Sequence, residues 1–286
     1  TAADAAVATA FALAAVEPWN SGLGGIGFTL VHPAGGAAQV VDFGPVSPGR
    51  LDARQFPIVG GHSEHLFAWP NVQDDRNVHG PLSVVIPSSV AGYAEVHRRW
   101  GRLPLKDVLA PAIALARAGL PVDWLTALKL ASSAPDLRRY AESARIYLTD
   151  GLPPAPPYVG PAKRLVLGRP PGTLERLAQA GPDAFYRGEG AAAIAGDKAG
   201  LCGGLDAADL AGCAARLSEP SLSPWRGRVI QGAGGLTAAP TMQRVLEFLS
   251  GERFGAAPDA AFFATFAAAM QRAYAERLSG LGDTTE

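Results

Sequence analysis

A chain of 286 residues with 48% hydrophobic and 8% aromatic content has apolar material for one large domain or two ordinary ones. Its formal net charge of -1 leaves no electrostatic footprint for nucleic acid or an anionic membrane surface, and no stretch approaches the roughly 18 uninterrupted apolar residues of a membrane span. Charged content of 18% is low and points to surface buried against another chain.

The opening TAADAAVATAFALAAV is apolar but lacks a basic n-region and carries Asp4, so it reads as a helix over Ala2–Val16 rather than a signal peptide. It looks entered partway, and the gene product is expected to begin upstream. Pro18 breaks the helix, and Gly22-Leu-Gly-Gly-Ile-Gly27 follows. This matches G-x-G-x-x-G, yet a dinucleotide site needs a strand before the glycines and a helix after them, and here the order is reversed. A tight helix-to-strand turn is the better account. Phe28–His32 and Ala38–Phe43 read as a β-hairpin around Pro33-Ala-Gly-Gly36.

Gly44 to Gly80 is irregular and rich in proline and histidine. Leu82–Ile86 reads as a buried strand ending at Pro87, after which Ser88 or Ser89 can cap a helix over Val90–Trp100. Pro104–Ala118 is amphipathic, with Gly119 beyond its end. Pro121–Leu148 reads as one or two helices with Leu125, Leu128, Leu130 and Leu137 on apolar faces, and Asp150–Pro161 as an exposed loop. Further helices are expected over Gly172–Ala180, Asp183–Ala199, Asp206–Ala215, Pro240–Leu249 and Ala260–Leu278, with a short strand at Val229–Gly232. Strands dispersed among more numerous helices favour a layered mixed fold.

Several side chains invite a chemical role. His62-Ser-Glu-His65 with Asp74, Asp75 and His79 can be drawn as a metal site, but the flanking glycines and Pro70 argue for a loop, and no third ligand has diagnostic spacing. Solvated polar residues are the expectation, and no metal or other cofactor is called for. Cys202 and Cys213 lack CxxC spacing and are expected to be small buried or half-buried side chains. Pro87-Ser-Ser-Val-Ala-Gly92 does not match the nucleophile elbow G-x-S-x-G, so capping is the simpler role for its serines. Asp42 is more simply a turn carboxylate bonding its own backbone than a catalytic one. Arg50 and Arg54 stand where a guanidinium could fork onto a carboxylate ligand, against a plain surface role.

Together these segments resemble a known family. Asp4-Ala-Ala-Val, Glu17-Pro with Ser21-Gly-Leu-Gly-Gly-Ile-Gly-Phe28, Val41-Asp-Phe43 with Pro48, and Ile86-Pro-Ser-Ser-Val-Ala-Gly92 occur in order. Trp100-Gly-Arg-Leu-Pro-Leu105, Pro111-Ala-Ile-Ala-Leu-Ala-Arg117 and Thr173-Leu-Glu-Arg-Leu-Ala178 follow. Gly181-Pro-Asp-Ala-Phe-Tyr-Arg-Gly188, Gly203-Gly-Leu with Asp209-Leu210, and Ala273-Tyr-Ala-Glu-Arg277 with Leu281-Gly-Asp283 complete the series. The collinear set resembles the large subunit of the γ-glutamyltranspeptidase family, which belongs to the N-terminal nucleophile (Ntn) hydrolases.

The resemblance implies an α+β fold, a four-layer αββα sandwich completed by a small-subunit partner chain. Residues 1–286 would be a single domain, the large (α) subunit of a self-cleaving precursor. The nucleophile would be the new N-terminal threonine of the small (β) subunit, with its own α-amine as base, so no catalytic residue is expected in this chain. Thr284 is the alternative, because the family carries a Thr-Thr or Thr-Ser pair at the cleavage point; the spacing after Asp283 argues against it. The substrate would be a small-molecule amide.

One departure is informative. The family carries an arginine directly after the Asp-Phe-like pair, holding the α-carboxylate of the γ-glutamyl group; here that position is Gly44. The expectation is an amidohydrolase or acyltransferase, similar to cephalosporin acylases, that is not a standard glutathione transpeptidase. Alternatively, Arg50 or Arg54 compensates and γ-glutamyl chemistry persists, or the chain is an inactive binding subunit. A nucleotide-dependent oxidoreductase resting on Gly22–Gly27 is the rival from another class. The compartment stays open between cytoplasm and periplasm.

Overall fold

The structure is a computed structural model that describes residues 1–64, 68–199 and 204–280, with backbone alone over 197–199. In chain order the elements begin with α1 (Ala2–Val16), β1 (Gly27–Val31), β2 (Gln39–Phe43), β3 (Ile58–His62), β4 (Pro70–Val72), α2 (Ser89–Trp100) and α3 (Leu105–Ala118). There follow β5 (Leu120–Pro121), α4 (Trp124–Leu137), α5 (Ala141–Tyr147), β6 (Arg164–Leu165), α6 (Pro170–Ala180), α7 (Asp183–Tyr186), α8 (Glu189–Ala199) and α9 (Ala207–Ala211). The last are β7 (Arg216–Ser218), β8 (Ser221–Trp225), β9 (Arg228–Gly232), α10 (Ala239–Phe248) and α11 (Ala260–Gly280). They fall into two compact units, Thr1–Gly27 with Phe43–Ala215, and Phe28–Asp42 with the chain from Arg216 onward.

The first unit is built on helices. In α1, Val7, Phe11 and Ala15 are buried at intervals of four, one stripe of the helix. Its small residues let α3 pack directly on it, and α3 packs in turn on α6. Val108, Leu109, Ala112 and Ala116 of α3 and Leu174 and Leu177 of α6 are buried, each large side chain contributing about 1.5–3 kcal/mol. Asp4 is buried at the start of α1 and accepts the backbone N–H groups of Arg102 and Leu103. The Thr1 hydroxyl also lies 2.8 Å from Asp4 Oδ2. A charged carboxylate thereby ties the start of α1 to the end of α2.

The second unit holds a three-stranded sheet ordered β1-β2-β7. β2 and β7 are antiparallel with Val40 opposite Ser218 and Asp42 opposite Arg216. That last cross-strand pair is also an ion pair at 2.9 Å. β8 and β9 form a hairpin closed at Trp225 and Arg228, where Arg226 (φ 47°) and Gly227 (φ 76°) supply the two positive φ values of a type I′ turn. Val245 of α10, Leu249 just after it, and Ala269 and Ala273 of α11 make this unit's small core. Elsewhere on α11, Phe263 and Leu278 are exposed.

Several boundaries differ from the sequence reading. The strand expected at Leu82–Ile86 is absent: Pro81–Ser83 is a 3-10 turn, and no ladder forms between prolines 81 and 87, which lack N–H donors. The helix expected over Asp183–Ala199 is broken into α7 and α8 at Gly188 (φ 74°). That expected over Asp206–Ala215 stops at Ala211, with Gly212 as its C-cap. On α4, Leu130 is buried, but Leu125 and Leu128 are exposed. The irregular region conceals the antiparallel pair β3–β4, and β7 and β8 went unrecognised because each needs a partner strand to exist.

On α2, Glu95 is gripped by Arg98 and Arg99. The Arg98 hydrogen bond chiefly, with burial opposing and Arg99 assisting, pulls its carboxyl down to about 2. A depressed carboxyl pKa gives stability that is fully present above the unfolded value and is lost as pH falls through the folded one. Glu95→Gln is expected to lower the melting temperature at pH 7, and the gap from wild type should close as pH falls from about 4 towards 2. Thermal scans at several pH values check this.

Candidate functional site

The segment that carries position 44 begins with a ring in a slot. Phe43 ends β2, and its ring lies against the backbone of Gly27 and Gly92. A Cβ on Gly92 would stand 2.1 Å from Phe43 Cδ1, and one on Gly27 would stand 2.8 Å from Cε2. Tyr93 meets the ring edge-on at 5.5 Å and meets Phe11 likewise at 5.1 Å, linking the slot to the α1 core. Burial raises the pKa of the Tyr93 phenol, which bonds Ser21. The glycines at 27 and 92 are therefore required by close approach, not by a phosphate.

The two serines after Pro87 bind the chain to this slot. Ser88 Oγ donates to the Phe43 carbonyl at 2.5 Å, and the N–H groups of Ser88 and Ser89 both donate to the Gly25 carbonyl, at 3.0 and 2.9 Å. Ser89 Oγ lies 2.9 Å from the Gly22 carbonyl oxygen and 3.0 Å from that of Leu23. Capping is thus corrected: Ser88 occupies the N-cap position of α2 without a side-chain cap bond, because its hydroxyl is used by Phe43. The cap comes from Tyr186, whose hydroxyl accepts from the Ala91 N–H at 2.9 Å and donates to the Pro87 carbonyl at 2.8 Å. Burial pushes this phenol far above its ordinary pKa, so it stays protonated and can do both. Half-buried Cys213 lies beside it with its thiol also raised by burial, an inert setting.

Gly44 follows Phe43 and is buried. The Ile86 N–H donates to the Val46 carbonyl at 2.9 Å, and the Gly49 N–H donates to Asp209 Oδ1 at 2.9 Å. Arg50 Nε lies 3.2 Å from Asp206 Oδ2. Gly44 and Arg50 therefore share one segment held at intervals by distant parts of the chain. Arg54 forks onto Asp52, with Nε at 3.0 and 2.9 Å from its two oxygens and one terminal nitrogen at 2.6 Å. That bond draws the Asp52 carboxyl down and the guanidinium up.

Asp42 faces Arg216 across β2 and β7. Among the described residues no group of three histidine, cysteine or acidic side chains could hold a metal. His65, Cys202 and Thr284 lie outside the described residues. No described helix is long and apolar enough to cross a membrane. A cleft of about 440 Å³ lies along the glycine turn, lined by Pro18, Asn20, Gly22, Gly25 and Tyr93 among others. Sequence reasoning met Tyr186 only inside the segment Gly181–Gly188 and gave it no role. It placed Asp206 only at the start of an expected helix, although Asp206-x-x-Asp209 has capping-box spacing.

This mixed α+β fold is that of the Ntn hydrolases. The crystal structure of Helicobacter pylori gamma-glutamyltranspeptidase superposes with a TM-score of 0.88 at 25% identity, over 99% of this chain and 78% of that one. The chain belongs to the gamma-glutamyltranspeptidase family, whose model matches residues 1–286. Similar proteins include an Acylase ACY 1 proenzyme of Pseudomonas sp. (strain SE83), 34% identical over 229 residues, covering 80% of this chain and 40% of that protein. A Glutathione hydrolase proenzyme of Escherichia coli (strain K12) is 29% identical over 289 residues, covering 99% of this chain and 47% of its own length. The chain thus spans less than half the length of these two relatives.

Gly92→Ala is expected to destabilise by about 1–3 kcal/mol, since overpacking against Phe43 exceeds the gain of up to about 1 kcal/mol in helix propensity. Gly24→Ala, with nothing within 4 Å of the new methyl, should stay near wild type by denaturant titration. Tyr186→Phe leaves the Pro87 carbonyl and Ala91 N–H without their partner and should cost about 1–3 kcal/mol in the same titration.

Proposed function

We propose that this chain, with residues 1–286 acting as one large subunit, is half of a γ-glutamyltranspeptidase-like amidohydrolase or acyltransferase. Its partner is the small subunit cut from the same precursor, and its substrate is a small-molecule amide. The α-amine of the partner's N-terminal threonine, with an ordinary pKa near 8, takes the hydroxyl proton as Oγ attacks the amide carbon. The C–N bond breaks, the leaving amine takes the proton, and water or an acceptor amine then releases the acyl group. Backbone N–H donors stabilise the oxyanion. The proenzyme names of the relatives and the exposed apolar residues of α11 support a missing second half.

The acyl group proposed is one other than γ-glutamyl. The carrying observation is that position 44 is a glycine, while of the arginines next in sequence Arg54 is forked onto Asp52 and Arg50 meets Asp206 in an exposed pair. Recruiting Arg54 would break a fork of several hydrogen bonds, and truncating a carboxylate-binding guanidinium with nothing in its place costs about 2–5 kcal/mol. The likeness to an acylase proenzyme points the same way.

The test uses the full-length precursor after maturation. Glutaryl- and oxamate-type amides are expected to be turned over with higher kcat/KM than γ-glutamyl-p-nitroanilide, and Gly44→Arg should raise γ-glutamyl turnover. Efficient γ-glutamyl turnover by the wild type would sink the acyl assignment. N-terminal sequencing of the co-purifying chain should find threonine or serine; a partner without a nucleophile would favour an inactive binding subunit.

A further inference from the structure

The start of α9 does more than begin a helix. Asp206 Oδ1 accepts from the Ala208 and Asp209 N–H groups at 2.8 and 2.9 Å, and Asp209 Oδ2 accepts from the Asp206 N–H at 3.0 Å. These bonds complete the capping box. Each carboxylate has a second oxygen, and both are spent outside the helix. Asp209 Oδ1 accepts the Gly49 N–H, 160 residues away in sequence, at 2.9 Å. Asp206 Oδ2 meets Arg50, but that guanidinium is 77% exposed and the pair is a weak surface contact. The Asp209 bond is of another kind, a charged acceptor on a main-chain donor, which fixes backbone rather than a flexible side chain.

Its consequence lies five residues upstream. From Gly44 to Gly49 the chain has neither helix nor strand, and the bonds around it include Ser88 on the Phe43 carbonyl, Ile86 on the Val46 carbonyl and Asp209 on the Gly49 N–H. With no side chain at 44, the wall of the subsite there is main chain, and those bonds are among the ones that fix its shape. We propose that Asp209 is a specificity-determining positioning residue, which sets the acyl subsite at Gly44 by holding the Gly49 amide. This rests on the role given to position 44 above.

Asp209→Asn keeps size but can accept with one oxygen only, so it can serve the cap or Gly49 but not both. Asp123→Ala is the control: it removes the cap of α4, where Asp123 accepts the Thr126 N–H, and does not touch the segment. In the matured full-length enzyme, Asp209→Asn is expected to raise KM for the preferred amide about fivefold or more and to shift the glutaryl/γ-glutamyl preference by a similar factor, with kcat changed less. Asp123→Ala should lower only the melting temperature. Hydrogen exchange over residues 43–51 should quicken in Asp209→Asn and not in Asp123→Ala. An Asp209→Asn enzyme that merely melts lower, with KM and preference intact, overturns the proposal, as does unchanged exchange, which needs no turnover. A wild type that prefers γ-glutamyl amides would instead refute the acyl assignment, while the Asp209 effect on preference would still be read.

Discussion

The close fit of the Phe43 ring against two glycines is the constraint on which the candidate site depends. At Gly92 a single methyl group would overlap the ring, and at Gly27 it would crowd its edge. The first contact brings α2 to the end of β2, and the second brings the glycine turn there. Once the backbones are that close, their polar groups must be paired. Ser88 and Ser89 pair them, using both hydroxyls and both amides on Phe43, Gly25 and the Gly22–Leu23 carbonyls. A packing event and a hydrogen-bond network therefore specify one another, and neither would be stable alone.

The price for α2 is a helix start whose own serines are occupied. Tyr186 makes good the loss from almost a hundred positions further along the chain, and burial keeps its phenol protonated so that it can donate and accept. The same economy recurs at α9, where one carboxylate caps a helix and holds a distant amide. The unit is held together less by ion pairs, which are mostly exposed, than by side chains that finish the backbone bonding of another element.

This pattern gives Gly44 its meaning. An arginine binds a carboxylate with its own side chain and tolerates a loosely held backbone. A glycine offers only main chain, and the segment from Phe43 to Gly49 is anchored accordingly. Of the arginines that follow in sequence, Arg54 forks onto Asp52 and Arg50 makes an exposed pair with Asp206.

Much of the architecture was legible in the residues. An alanine-rich run broken at Pro18 located α1 to its ends, and apolar runs with their capping and breaking residues located α2, α3, α6, α10 and α11 within a few residues, because such signals are written locally. The order of helix, glycines and strand, which argues against a dinucleotide loop, was readable from the residues, and α1 and β1 take that order. The collinear motifs identified the family, and the identity of residue 44 is a fact of sequence. What residues could not disclose were relations between distant parts: the slot around Phe43, the Tyr186 cap, the grip of Asp209 on Gly49, and the strands β3, β4, β7 and β8. A short strand has little intrinsic preference and exists only when a neighbour supplies its hydrogen bonds. A hydroxyl or carboxylate likewise carries no mark of which far-off backbone group it will meet. Sequence alone identified the family, most of the helices and the glycine at position 44; tertiary structure alone decided which atoms hold the segment around it, because those partners lie far apart in the chain.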